Sequence, residues 1–418
     1  MELEGVRGLA AIAVVMSHYV LAFYPALVSG NASLAHTRFE DNIHGTPLAL
    51  AYAGTFAVAI FFVLSGFVLS IGYFQTRDEA IVRKLAMGRY LRLMLPALAS
   101  VILAYVLIAV GSGQMAASAG AATGSWYLNS WVMDADLFAA LKSGVLDIFV
   151  QGGSPYNSVL WTMKIEFLGS FLVFVFLLLF AKSRYRWVMY VGLAIATFNT
   201  WFLPFVLGVI IADAYAHGWI EKLRRVYIIL PLLVGGLLLG SVPHRGSEGT
   251  IYEALMKFDL ASLTGIRGLN LEMLYLTIGA TMLILAILLS KRLSAWFRHP
   301  KIAILGKYTF ALYLTHALVL LSFSSAIFVA FHESLGYNKT VALVLLLSIP
   351  VIWITTILFE RYVDAPSIKF AKWASAVYRG ERKIGLRGRI AFAKDRIRPW
   401  AEKYIGWSGR PELNQEAD

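Results

Sequence analysis

Cysteine is absent from the 418 residues, so the chain can form no disulfide, no thiolate nucleophile and no thiolate-ligated metal site. Charge is scarce as well: 15% of residues are Asp, Glu, Lys or Arg, against 59% hydrophobic, and the mean hydropathy is +0.68. A water-soluble domain of this length must carry far more charge on its surface, so that class is excluded. No HExxH-type pair of histidines occurs, and no metal site is expected. No cleavable leader is expected, because the first apolar block follows Arg7 directly, runs to about Leu27 and has no small-residue cleavage site. No internal repeat is visible either, which weakens a transporter reading.

What the chain has is apolar residues in blocks, separated by short clusters of Arg and Lys. Blocks of about 20 apolar residues are long enough to cross a hydrocarbon layer roughly 30 Å thick. The blocks fall at 8–27, 47–74, 93–111, 158–181, 187–200, 201–217, 226–243, 270–290, 307–330 and 341–360. They predict an all-α, polytopic integral membrane bundle of about ten transmembrane helices. The fifth and sixth are short and join at Asn199-Thr200. Pro204, Pro231 and Pro350 lie inside predicted spans, where a bundle tolerates kinks.

The net charge of +12 is placed for a membrane face, and no nucleic-acid partner is expected. With both termini in the cytosol, 30 of the 37 Lys and Arg fall in cytosolic segments, as the positive-inside rule requires. The seven outside are Arg38, Lys142, Lys164, Arg245, Lys257, Arg267 and Lys339. The long outer connection, 112–157, carries Trp126, Tyr127, Trp131 and an amphipathic stretch from Asp136 to Val150. It is expected to lie in the interface or fold over the bundle as a lid. Residues 1–372 are read as the transmembrane domain and 373–418 as a basic cytosolic tail against anionic headgroups.

An ionisable group inside a bilayer is expensive and needs a reason. His18 lies eleven residues after Arg7, about 16 Å along a helix, which places it near mid-membrane. Glu166 lies eight residues into the fourth span and His316 within the ninth. A lone histidine of this kind most often ties helices together. Two histidines and a carboxylate at overlapping depths instead suggest proton transfer near neutral pH. Asp213 and Glu272 sit near span ends and are read as structural. Arg83, Lys84, Arg89 and Arg92 cluster before the third span; beyond anchoring, such a cluster suits the phosphates of a nucleotide-bearing donor.

Several of these segments together resemble one family. The Arg7-Gly8-Leu9…His18 pattern resembles the membrane O-acyltransferases called acyltransferase family 3. So do Phe61-Phe62-Val63-Leu64-Ser65-Gly66-Phe67, Arg89-x-x-Arg92-Leu93…Pro96 and Leu160-Trp161-Thr162-Met163-Lys164-Ile165-Glu166. Leu305-Gly306…Leu312-Tyr313-Leu314-Thr315-His316 and the ending Glu360…Asp364-Ala365-Pro366 have the same look, in family order. Two positions depart from the pattern. Ala59 or Ile60 stands where many members carry Asp, and Lys164 stands where a small residue or proline is commoner.

The resemblance implies transfer of an acyl group, often acetyl, from acyl-CoA as co-substrate, with no bound cofactor. The acceptor would be a hydroxyl of a glycan, a lipid-linked sugar or a secondary metabolite. Arg7, Arg89 and Arg92 would hold the donor's phosphates at the cytosolic mouth. His18 would act as general base or transient acyl carrier, with Glu166 orienting or charge-stabilising a histidine. Ser65, Trp161, Tyr313 and His316 would line the cavity. The membrane would be a bacterial inner or plasma membrane, or an endomembrane in a eukaryote. A proton-coupled transporter or exporter is the alternative that also uses buried His and Glu.

Overall fold

The structure, a computed structural model, describes residues 2–258 and 268–378. No strand occurs among the described residues. In chain order the bundle helices are α1 (Glu2–Phe23), α2 (Gly54–Thr76), α3 (Glu79–Ala109) and α4 (Ser158–Leu179). Three shorter helices follow, α5 (Arg186–Ala196), α6 (Leu203–Ala216) and α7 (Val226–Gly240). The last are α8 (Leu271–Leu289), α9 (Pro300–Leu335) and α10 (Tyr337–Tyr378). Both α9 and α10 pass through a π-helical turn, at Leu320–Ser324 and Glu360–Asp364.

Seven of these helices are long and apolar enough to cross a membrane, fewer than the ten expected. The difference lies in α5, α6 and α7, with 11, 14 and 15 residues. At 1.5 Å per residue they reach about 16 to 23 Å, short of a hydrocarbon layer of roughly 30 Å. The break between α5 and α6 falls where the sequence placed it: Asn199 has φ 61°, a left-handed conformation that a helix cannot continue through. In the other direction, α3 begins fourteen residues earlier than its apolar block. Asp78 caps it by accepting from the Ala80 N–H at 2.8 Å, so the whole basic cluster rides on the helix rather than on a loop.

The helix pairs α1–α9 and α2–α6 pack closely, and the motif glycines explain how. A Cβ on Gly66 would lie 2.1 Å from the Phe205 carbonyl oxygen, and one on Gly208 2.1 Å from that of Val63. Gly8 and Gly306 play the same part between α1 and α9, with a Cβ at 2.4 Å from Leu305 and 2.5 Å from the Glu4 carbonyl oxygen. Lipid offers no hydrophobic drive between helices, so backbone approach at small residues is what holds such pairs.

The start of α1 and the end of α10 lie at one end of the bundle. Glu2 meets Arg298 at 3.5 Å, Lys307 meets Glu360 at 3.4 Å and the Ser375 hydroxyl donates to the Lys84 carbonyl at 3.4 Å. This is called the basic end below. The expected tail from 373 therefore begins inside α10, and its remainder, 379–418, lies outside the described residues. From the far-end connection, residues 137–150 run inward as helix along α3 and α4, as far as Tyr90, whose phenol donates to the Val145 carbonyl at 2.8 Å and whose ring is 5.2 Å from that of Phe149. A helix at Ser112–Thr123, rich in Ala, Gly and Ser, packs on the outer half of α9. It has no apolar block and went unseen in the sequence.

Candidate active site

Polar side chains form a ladder through the bundle, beginning at the basic end. Arg89 and Arg92 are three residues apart on α3 and so share a face. Arg92 reaches Asp364 at 2.5 Å, with its guanidinium 5.0 Å from the centre of the Phe310 ring. Arg89 forms an ion pair with Glu166 and donates to the Ser170 hydroxyl at 2.7 Å. Ser65 donates to the same Glu166 carboxylate at 2.8 Å, so the acid joins α2, α3 and α4. Arg7 meets Glu4 at 3.5 Å. Arg7, Ser65, Arg89, Arg92 and Glu166 line a cavity of about 290 Å³.

One turn outward on α4, Thr162 meets Tyr313 of α9, oxygen to oxygen, at 2.9 Å, and the Tyr313 phenol donates to the Val159 carbonyl at 2.6 Å. One turn further along α9 is His316, with no exposed surface. Its Nδ1 lies 2.9 Å from the Leu312 carbonyl and its Nε2 3.3 Å from His18 Nδ1. His18 Nδ1 also lies 2.9 Å from the Val14 carbonyl.

A carbonyl oxygen only accepts, so the proton of each neutral ring sits on Nδ1. His18 Nδ1–H is then shared between Val14 and the His316 Nε2 lone pair. His18 Nε2 is left deprotonated, and no protein group among the described residues bonds to it. His18 lines a second cavity, of about 520 Å³, at the far end, together with Trp161 and Trp201.

These positions correct three expectations. Glu166 orients no histidine; it lies two turns nearer the basic end than the His18–His316 pair and is committed to Arg89 and Ser65. Depth along a helix is readable from residue spacing, but the helix's rotation and its vertical offset from a neighbour are not. His316 lines neither cavity; it stands behind His18 and holds the ring. Arg89, expected to be free for phosphate, is already neutralised by Glu166. Lys164 points its stem past Gly152 in the far-end connection, and Ala59 is fully buried in α2.

A family described as an acyltransferase domain matches residues 2–360. The chain belongs to acyltransferase family 3. It is 25% identical over 429 aligned positions to the O-acetyltransferase PaAT-1 of Phomopsis amygdali, covering 89% of this chain and 84% of that protein. No solved structure matches the chain. The protein is therefore an acyltransferase, a multi-pass membrane protein of this family, and its relative supports transfer to oxygen.

Sequence reasoning missed three contributors to this candidate site. Tyr127, in the outer connection, brings its ring 5.2 Å from that of His18. Asp364 was noted only as part of a familiar ending, yet it is the partner of Arg92. His244, between α7 and α8, bonds through Nδ1 to both oxygens of Glu272 at 2.8 and 2.9 Å and lines the far cavity.

The Glu272 bond raises the His244 pKa above its ordinary 6.5 and outweighs the opposing effect of burial. A raised pKa gives stability that is full below about 6.5 and is lost as pH rises through the folded value. As pH rises from about 6.5 through the folded value, the wild type should thus lose more thermal stability than His244→Gln. Parallel curves for the two proteins would remove the pair from the stability of the far-end loop.

Proposed function

We propose that this O-acyltransferase takes its acyl group, acetyl foremost, from acyl-CoA at the basic-end cavity and passes it to a hydroxyl held in the far cavity. The basic end faces the cytosol in this reading, both termini are cytosolic, and residues 1–372 form the transferase with 373–418 as a headgroup-binding tail. The acceptor is a hydroxyl of a glycan, a lipid-linked sugar or a secondary metabolite. The membrane is a bacterial inner or plasma membrane, or an endomembrane if the source is eukaryotic. The observation that supports this most is a pair of cavities of different chemistry that share two lining residues, Val58 and Tyr313. One is lined by three arginines, the other by an imidazole with a free lone pair.

Arg7 grips the donor's phosphates, and Arg92, also paired with a carboxylate, adds the guanidinium edge that its Nη1 contact with Asp364 leaves open; Arg89 has both Nε and Nη2 engaged by Ser170 and Glu166. The thioester arm enters between α2, α4 and α9. His18 Nε2 takes the proton of the acceptor hydroxyl as its oxygen attacks the thioester carbonyl carbon. The C–S bond then breaks, the ester leaves, and the imidazolium returns the proton to the departing CoA thiolate. Exclusion of bulk water from the bundle protects the thioester from hydrolysis.

The test is binding and turnover of acetyl-CoA by purified protein. Arg7→Ala/Arg92→Ala should weaken acetyl-CoA binding by on the order of tenfold or more, as each charge-assisted bond carries about 1.5–3 kcal/mol. Wild-type affinity should fall with ionic strength, because contacts at a wet surface are screened. Equal affinity in both proteins, flat against salt, removes the donor from this cavity.

A further inference from the structure

Two residues, Val58 and Tyr313, line both cavities. We propose that the Tyr313 side chain is a movable partition, which must leave its two hydrogen-bond partners before an acyl group can reach His18. The inference rests on the two-cavity reading of the reaction and adds the step that joins the cavities.

The geometry of the phenol carries it. Its oxygen is pinned at 2.6 Å to the carbonyl of Val159, which lines the far cavity, and at 2.9 Å to the hydroxyl of Thr162, which lines the near one. With the phenol proton committed to the carbonyl, Thr162 donates to the phenol oxygen. Both partners sit at the first turns of α4, the helix that also carries Glu166. The ring is 93% buried and meets Phe61 edge-on at 6.3 Å between centroids. A ring fixed at both its edge and its hydroxyl is one of the two side chains that border both cavities. The pins are neutral hydrogen bonds, which an amide-bearing substrate arm can replace, its carbonyl accepting from Thr162 and its N–H donating to the Val159 carbonyl.

While Tyr313 is in place, water in the far cavity is kept from a thioester waiting at the near one. Once the arm displaces the phenol, the acyl carbon comes up one turn of α9 below His316, beside the free Nε2 of His18. Closure of the site by the substrate itself is a familiar way to couple binding to chemistry. Here it would also limit futile hydrolysis.

Because the chain has no cysteine, accessibility can be read without activity. Ser65→Cys places a thiol in the near cavity and Ser17→Cys places one in the far cavity. The probe is a membrane-impermeant trimethylammonium methanethiosulfonate, applied from the side that labels Ser17→Cys. With Tyr313 intact, Ser65→Cys should resist the probe from that side. In Tyr313→Ala it should react at least tenfold faster, with the Ser17→Cys rate unchanged as the control for folding. Tyr313→Phe, which keeps the ring and loses both pins, should fall between.

Equal far-side labelling of Ser65→Cys in all three backgrounds, whether fast or absent, overturns the partition. If Tyr313→Ala fails the folding control, the comparison with Tyr313→Phe decides alone, and equal rates there overturn it too. Acetyl-CoA added at the basic side should protect Ser65→Cys from basic-side labelling. Loss of that protection alone removes the donor assignment and leaves the partition standing.

Discussion

His18→Ala should lower acyl transfer at least a hundredfold, the usual cost of a lost general base, with protein level and acetyl-CoA binding unchanged. The expectation rests on one atom. Val14 and His316 between them fix the proton on Nδ1, and no protein group among the described residues bonds to Nε2 of this histidine, which lines the far cavity. His316→Ala should lower the rate less, because it removes a hold on the ring rather than the base itself. Rates from labelled acetyl-CoA at matched expression measure both. Full activity in His18→Ala would end the mechanism, and a larger loss in His316→Ala than in His18→Ala would exchange their roles. Since Glu166 belongs to the other cavity and shares no partner with His18, losses at His18 and Glu166 should add in the double variant. A double variant no worse than His18→Ala would mean that the two act as one unit after all.

The second large effect concerns stability. The Arg89 and Glu166 side chains are 16% and 15% exposed, so each is largely removed from water. Removing one partner of a buried pair leaves an uncompensated charge, at a cost of about 3–5 kcal/mol. Glu166→Ala should therefore lower the thermal midpoint of the purified protein strongly. Arg89→Met/Glu166→Met should restore most of it, since apolar replacement of both partners is often neutral or stabilising. Activity should not return with stability, because the near cavity then lacks its acid and one of its arginines. An unchanged midpoint in Glu166→Ala would mean that cavity water, rather than Glu166, neutralises Arg89.

Motif residues were legible in the sequence for different reasons. Gly8, Gly66 and Gly306 could be quoted as parts of motifs, but their purpose is packing, which appears only when Leu305, Phe205 and Glu4 are seen facing them. Asn199 marked the α5–α6 break because a helix interruption is a local event. The shortness of α5, α6 and α7 was harder to read, because apolar residues continue past the helix ends into the turns. The Ser112–Thr123 helix was invisible, since Ala, Gly and Ser in that order carry no period.

Composition and block length by themselves determined that this protein is a helical membrane bundle, since transfer of apolar residues to lipid depends on their number and not on their neighbours. Motif order determined the family. Spacing along one helix determined that Arg7 and His18 lie a fixed rise apart. Which side chains meet was decided only by the tertiary structure. Helix rotation and vertical offset result from many weak contacts summed over whole interfaces, and no single residue encodes them. That summed packing set Glu166 on Arg89, His316 behind His18, and Tyr313 between the two cavities.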